Sequence, residues 1–341
     1  MPHLDPLLTG IDIALPKTGN RIRKQSAKTR YNRIKEATRF VKVLRELGYG
    51  VKKWDNITNK HVGTVVDIWK NQGLTPATIK GNMSAVRLIT RFFGNDRIHE
   101  DNEAFGIDNR KYINNLDRSL PEDEFNRAVK QLKLREKKYD RNIAAMFLLE
   151  RHLGLRTEEA AKFHPDSLMH DGRVFVSFGT KGGRERFINT VTPEGRQAIE
   201  YASQFIHGKR DNLIPNEEGM TERKWITLYY NRIREIGISK RTTRASGHGN
   251  RHAYAQERYE SMTGFPAPCK FIKRSVFIEK AVEVAGENWE KIDKDARMIL
   301  KAELGHGPQR DDVVSQYLGS AARDWDHSEA TGAEETEDEV V

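Results

Sequence analysis

The sequence predicts a mainly α-helical protein with one small β-hairpin, an α+β chain in two domains. Three features lead there. A length of 341 residues allows two domains or three at about 100–200 residues each. Apolar residues recur at helical spacing through most of the chain. Strand-like runs stand out only at Val174–Phe178 and Arg186–Val191, joined by Gly-Thr-Lys-Gly-Gly. No repeat period is present.

Residues 1–20 contain prolines and glycines with little periodicity, and are expected to be a flexible arm. Three helices then fill a first domain over residues 21–112. The first carries Ile34, Ala37, Phe40, Val41 and Leu44 on one face and stops at Gly48 and Gly50. The second fits Thr58 to Trp69, and the third starts at Pro76 and closes at Gly94. Residues 17–53 hold thirteen Lys or Arg against two Glu. A single charged helix face is usually just solvated, but so lopsided a segment favours contact with DNA phosphates. The candidate contacts are Arg30 and Arg33, with Lys80, Arg87 and Arg91, which share one side of the third helix.

Polar residues 95–118 read as a linker, and Ser119-Leu-Pro-Glu122 has the spacing of a capping box. The second domain is expected over residues 113–322. It opens with helices, including one from about Arg141 to Leu153 stopped by Gly154, passes through the hairpin, and returns to helices after Pro193. Residues 323–341 form a tail with one basic and eight acidic side chains. Its default reading is a disordered solubilising segment; docking on a neighbouring copy's basic surface and masking the DNA face until assembly are the alternatives.

The net charge is +9, and removing the acidic tail leaves the body more basic still, which favours nucleic acid as partner. One cysteine, Cys269, excludes a disulfide framework, and without a CxxC a cysteine-based zinc site is excluded too. No apolar run reaches the ~18 residues of a membrane span, and no signal peptide is visible. A cytoplasmic, nucleoid-associated protein is expected. Walker A, HExxH and GxSxG motifs are all absent, and no metal or cofactor is expected.

The remaining chemistry is scattered over the second domain: Arg156 in Gly-Leu-Arg-Thr-Glu-Glu159, Lys181 in the hairpin turn, His248 and Arg251 in His-Gly-Asn-Arg-His252, His306 in Leu-Gly-His, and Tyr317. Each alone has an ordinary explanation: a surface ion pair, a solvated turn lysine, a helix cap, a core tyrosine. Together they suit a phosphodiester. Two guanidiniums would clamp the non-bridging oxygens. A tyrosine, with a free pKa near ~10, needs a base such as His248 to attack at neutral pH. Lys181 on a mobile hairpin would protonate the leaving 5′-oxygen.

This order of residues resembles the tyrosine recombinase (phage integrase) family. Gly154–Glu159 is similar to its box I, Thr180-Lys181-Gly182 to its hairpin lysine motif, His248–His252 to box II, Leu304-Gly-His306 to its L-G-H, and Tyr317-Leu318 to the nucleophile segment. The resemblance implies a helical core-binding domain joined to a tyrosine-recombinase catalytic domain. It implies that Tyr317 forms a 3′-phosphotyrosine and frees a 5′-hydroxyl, that Arg156 and Arg251 stabilise the transition state, that Lys181 is the general acid, that His248 assists proton transfer, and that His306 hydrogen-bonds the phosphate. It further implies a homotetramer on double-stranded DNA exchanging strands through a Holliday junction without metal or ATP. A mobile-element integrase fits, and an accessory DNA-bending or directionality factor is left open.

The chain departs from the family pattern at Asn250, where an apolar residue is usual. It also departs in the fifty-five-residue step from Arg251 to His306, which suggests an insertion at about 261–293. Two other functions compete: a DNA-binding regulator on the same fold without turnover, and a type IB topoisomerase.

Overall fold

The structure, a computed structural model, describes residues 5–15, 27–109, 113–208, 211–243, 245, 247–307 and 311–328. The chain divides between Lys111 and Tyr112 into two compact units.

The first unit has four helices: α1 (Pro6–Ala14), α2 (Ala27–Glu46), α3 (Asn59–Asn71) and α4 (Pro76–Phe92). Thr58 caps α3 by accepting from the His61 amide, and Thr75 does the same for α4 through Thr78, with Pro76 in the first turn. Phe40, Leu44, Val65, Trp69, Met83 and Val86 bury the facing stripes of α2, α3 and α4. The flexible arm expected at residues 1–20 is corrected over its middle, because residues 6–14 form α1. Asp5 caps it by accepting from the Leu7 amide at 2.8 Å. Arg45 of α2 holds the same carboxylate through Nε at 2.5 Å and Nη2 at 2.9 Å. Leu7, Ile11 and Leu15 are buried, and the Trp54 indole donates to the Leu7 carbonyl at 2.9 Å. Apolar spacing of i, i+4, i+8 was legible here; the prolines and glycines on either side disguised it. Residues 1–4 and 16–26 lie outside the described part.

The second unit begins with α5 (Glu122–Leu134), α6 (Asp140–Leu153) and α7 (Thr157–Ala161). Ser119 does not cap α5; the position before the helix is Pro121, which has no capping side chain. Strands β1 (Val174–Val176) and β2 (Arg186–Ile188) pair antiparallel, with Val174 opposite Ile188. Both are shorter than the expected runs. Helices α8 (Pro193–Ser203), α9 (Glu222–Glu235), α10 (Lys240–Thr243) and α11 (Gly249–Thr263) follow, then α12 (Arg274–Ala285), α13 (Trp289–Glu303) and α14 (Asp311–Leu318). The buried helix α6 lies at the centre, packed by α5, α8 and α11. The expected insertion is ordered: it comprises the end of α11, a 3-10 turn at Pro268–Lys270, α12 and the start of α13. Phe265, Phe271, Phe277 and Trp289 form its aromatic core. Among the described residues no helix is long and apolar enough to cross a membrane.

Candidate active site

Helix α6 ends at Gly154, whose φ of +60° is the left-handed conformation that favours glycine. A Cβ there would lie 2.3 Å from the Tyr254 ring, so this glycine also lets α11 approach the end of α6. The chain turns, buries Leu155 and places Arg156 at the position before α7. Glu159, one turn on, accepts from the Arg156 amide at 2.8 Å and from its Nη1 at 2.7 Å. The same two oxygens of Glu159 take both Nη atoms of Arg186 on β2, at 2.8 and 2.6 Å. Burial raises the Glu159 carboxyl, but the hydrogen bonds and charge of Arg186, joined by Arg251 and Arg156, prevail and hold it at about 2.

Arg251 lies on α11 and is fully buried. It donates to the Gly154 carbonyl, to the Leu304 carbonyl at 2.5 Å, and through Nε to the Tyr317 hydroxyl at 3.1 Å. Arg156 reaches the same Leu304 carbonyl at 3.1 Å. The end of α13 thus gathers both guanidiniums on one acceptor. The Tyr317 hydroxyl is also 3.3 Å from His248 Nε2. The rings of His252 and His306 stand 4.7 and 5.8 Å from that of Tyr317. Five of the six expected catalytic residues, Arg156, His248, Arg251, His306 and Tyr317, therefore meet in one place, supplied by α7, α11, α13 and α14.

The sixth, Lys181, does not join them. It is exposed on the turn between β1 and β2, and among the described residues no hydrogen bond or ion pair ties it to the cluster. Gly179 seats this turn: its φ is +72°, and a Cβ there would meet the Glu158 carbonyl oxygen at 2.4 Å.

Burial drives His248 well below the usual histidine value, and the nearby His252, Arg251, Arg156 and His306 push the same way. His252 falls to about 4, chiefly through burial and then Arg118. Both imidazoles are neutral at pH 7. Asn250, the departure in box II, is fully buried and lies against Glu150, a carboxyl that also takes the Tyr229 hydroxyl. Burial raises Glu150 to about 8.

Glu159, Arg186 and His252 were not among the expected site residues. The i, i+3 spacing of Arg156 and Glu159 was a usable signal, as was an arginine on the inward-facing register of β2, where Arg186 and Ile188 are buried while Phe187 is exposed. Among the described residues no group of three or more His, Cys, Asp or Glu is placed to hold a metal ion.

In the first unit, the expected DNA contacts are spread over two helices, and four of the five have internal partners. Arg30 donates to the Leu15 carbonyl at 2.7 Å, and Lys80 donates to Asn109 at 2.9 Å. Arg87 staples the loop after α4 through the carbonyl of His99 and the side chain of Asn102, and Arg91 pairs with Glu100. Arg33 is half-exposed on α2.

Comparison with known proteins agrees with this geometry. The family model described as Integrase matches residues 112–257, and the one described as Phage integrase, N-terminal, matches residues 17–99. Tyrosine recombinase XerD of Oceanobacillus iheyensis is 28% identical over 220 residues, covering 61% of this chain and 71% of that protein. Among solved structures, lambda integrase bound to DNA has a TM-score of 0.57 at 15% identity, covering 94% of this chain and 97% of that one. A lambda integrase tetramer bound to a Holliday junction scores 0.55 at 14%, covering 94% and 78%. The Tn1549 transposon integrase with transposon right-end DNA scores 0.55 at 13%, covering 91% and 95%. These structures share the fold, and the two matched segments together span more than half of the sequence. The chain belongs to the tyrosine recombinase (phage integrase) family.

Proposed function

We propose that this chain is a site-specific recombinase that cuts and rejoins double-stranded DNA through Tyr317. The observation that carries the reading is the Tyr317 hydroxyl between Arg251 Nε at 3.1 Å and His248 Nε2 at 3.3 Å. Neutral His248 takes the phenolic proton as the oxygen attacks phosphorus. The phosphorus–tyrosine bond forms while the bond to the 5′-oxygen breaks, leaving a 3′-phosphotyrosine and a 5′-hydroxyl. Arg156 and Arg251, which converge on the Leu304 carbonyl, hold the non-bridging oxygens as charge builds there, and His306 donates to the same phosphate. Lys181, brought in when the hairpin closes on DNA, protonates the departing 5′-oxygen.

The phosphotyrosine conserves the energy of the original bond, and the guanidiniums supply the positive charge, so neither ATP nor a metal ion is required. A second 5′-hydroxyl reverses the step. Four copies exchanging strands in pairs pass through a Holliday junction, an assembly in which lambda integrase, a protein of the same fold, has been solved. Arg30, Arg33, Lys80, Arg87 and Arg91 contribute phosphate contacts in the first unit. Integration and excision of a mobile element is the biological role, carried out on DNA in the cytoplasm.

The test is strand exchange in vitro between DNA molecules carrying the region that flanks the gene. Recombinant product and four-way intermediates, both lost in Tyr317→Phe, are expected. Relaxation of supercoils without joined partners would indicate a type IB topoisomerase instead, and binding without strand transfer would indicate a regulator; either overturns the proposal.

A further inference from the structure

Helix α13 ends in a side chain that breaks a local rule. Glu303 is its last residue, and its carboxylate is fully buried. A negative charge is unfavourable there, because the carbonyls at a helix C-terminus already carry partial negative charge. Of the fifteen residues of α13 only Ala296, Leu300 and Glu303 are buried. The acid therefore takes a place where an apolar side chain would pack at less cost.

What surrounds Glu303 offsets that cost. Helix α11 presents Arg251, Tyr254 and Arg258 at i, i+3 and i+7, one stripe along its side facing α13. Arg258 Nε reaches one carboxylate oxygen of Glu303 at 3.2 Å, and Nη2 reaches the other at 3.3 Å. The Tyr254 hydroxyl donates to the same carboxylate at 3.5 Å. Arg258 Nη2 also donates to the Thr190 hydroxyl, just past β2, at 3.0 Å. From β2 itself, Arg186 Nε donates to the Glu303 carbonyl at 2.7 Å. One residue on, the Leu304 carbonyl takes Arg251 Nη2 at 2.5 Å and Arg156 Nη2 at 3.1 Å. His306 follows the same helix end, its amide donating back to the Lys301 carbonyl at 3.0 Å.

Because Arg258 grips both oxygens of Glu303, it fixes where α13 lies along α11. A shift of ~1.5 Å, the rise of one helical residue, is enough to break the 3.1 Å contact of Arg156 with Leu304. We propose that Glu303 and Arg258 are positioning residues for the cleavage step. Their ion pair sets the register of α13 on α11, and so places the Leu304 carbonyl against both guanidiniums and His306 beside Tyr317. Neither touches the reacting atoms. The proposal rests on the recombinase reading of Tyr317.

The test is single-turnover cleavage at saturating DNA by Glu303→Leu, whose apolar side chain suits a buried helix position, and by Arg258→Gln. Each is expected to cut the rate at least tenfold, with DNA affinity within about twofold of wild type. The same loss is expected on DNA with sulfur at the 5′-bridging position, because the pair acts through the guanidiniums and not through the hairpin lysine. A wild-type rate in either folded variant, a loss confined to affinity, or a loss that vanishes on the sulfur DNA would overturn the proposal. A second arm needs no DNA. Solvent exchange of the Arg251 Nε–H, read by NMR, is expected to be at least tenfold faster in Glu303→Leu, and an unchanged exchange rate would overturn the proposal. Failure of the recombinase reading shows differently, as absence of any covalent adduct in wild type, and the exchange arm is read in either case.

Discussion

Glu159 is where the site's electrostatics are decided. Its carboxylate is fully buried and shares both oxygens between Arg186 and Arg156, while the nearest Arg251 nitrogen is 3.9 Å away. Three guanidiniums around one buried anion keep the site positive on balance, ready for a phosphate, without leaving like charges to repel unopposed. Removing one partner of such a pair strands the other, at a cost of about 3–5 kcal/mol. Glu159 keeps Arg156 and Arg251 when Arg186 is replaced, so Arg186→Met is expected to lower unfolding free energy by less than the ~3–5 kcal/mol of a stranded charge, as read in urea titration. It also frees Glu159 to draw on Arg156, so cleavage should fall even where the variant is folded. None of this was visible in the usual search for catalytic residue types. Arg186 contacts no reacting atom, and Glu159 reads from sequence as one of two adjacent acids on different helix faces.

At the level of elements, the helices were the most legible part of the fold. Thr58, Thr75 and Pro76 announce the starts of α3 and α4 by the chemistry of their side chains, and Gly154 announces the end of α6. Helix α1 was missed because prolines and glycines flank it and its stabilising partners, Arg45 and Trp54, are distant in sequence. The capping box at Ser119 failed for a similar reason: its hydroxyl accepts from Lys270 at 3.1 Å rather than from the helix. The hairpin was recognised, yet sequence alone could not say where its turn points. With Gly179 holding the base of the turn against α7 and Lys181 exposed, delivery of a proton requires the turn to move over bound DNA. Lys181→Ala is expected to slow cleavage of ordinary DNA by about 10²–10⁴, the usual worth of a positioned acid. The loss should largely disappear on DNA whose 5′-bridging oxygen is replaced by sulfur, because a thiolate leaves without a proton. Equal loss on both substrates would remove Lys181 from that role.

For the whole molecule, the division of labour follows the distribution of charge and chemistry. The first unit carries a basic segment and no nucleophile; the second carries every residue of the cluster around Tyr317. Six residues dispersed from 156 to 317 were legible as a set because a phosphodiester needs guanidiniums, a base, an acid and a nucleophile, and their order matched a known pattern. What held them was not legible. The gap from Arg251 to His306 announced additional chain without saying that it would fold around Phe265, Phe271, Phe277 and Trp289. The central claim is that Tyr317 attacks DNA, and covalent trapping tests it most directly. Wild type and Tyr317→Phe would be incubated in EDTA with end-labelled DNA from the gene's flanking region, then run on denaturing gels. The account predicts a protease-sensitive adduct at the 3′ side of the break in wild type. It predicts none in Tyr317→Phe, whose DNA affinity stays within a few fold. An adduct that survives in Tyr317→Phe, or wild-type protein that binds this DNA and never becomes attached, would contradict it.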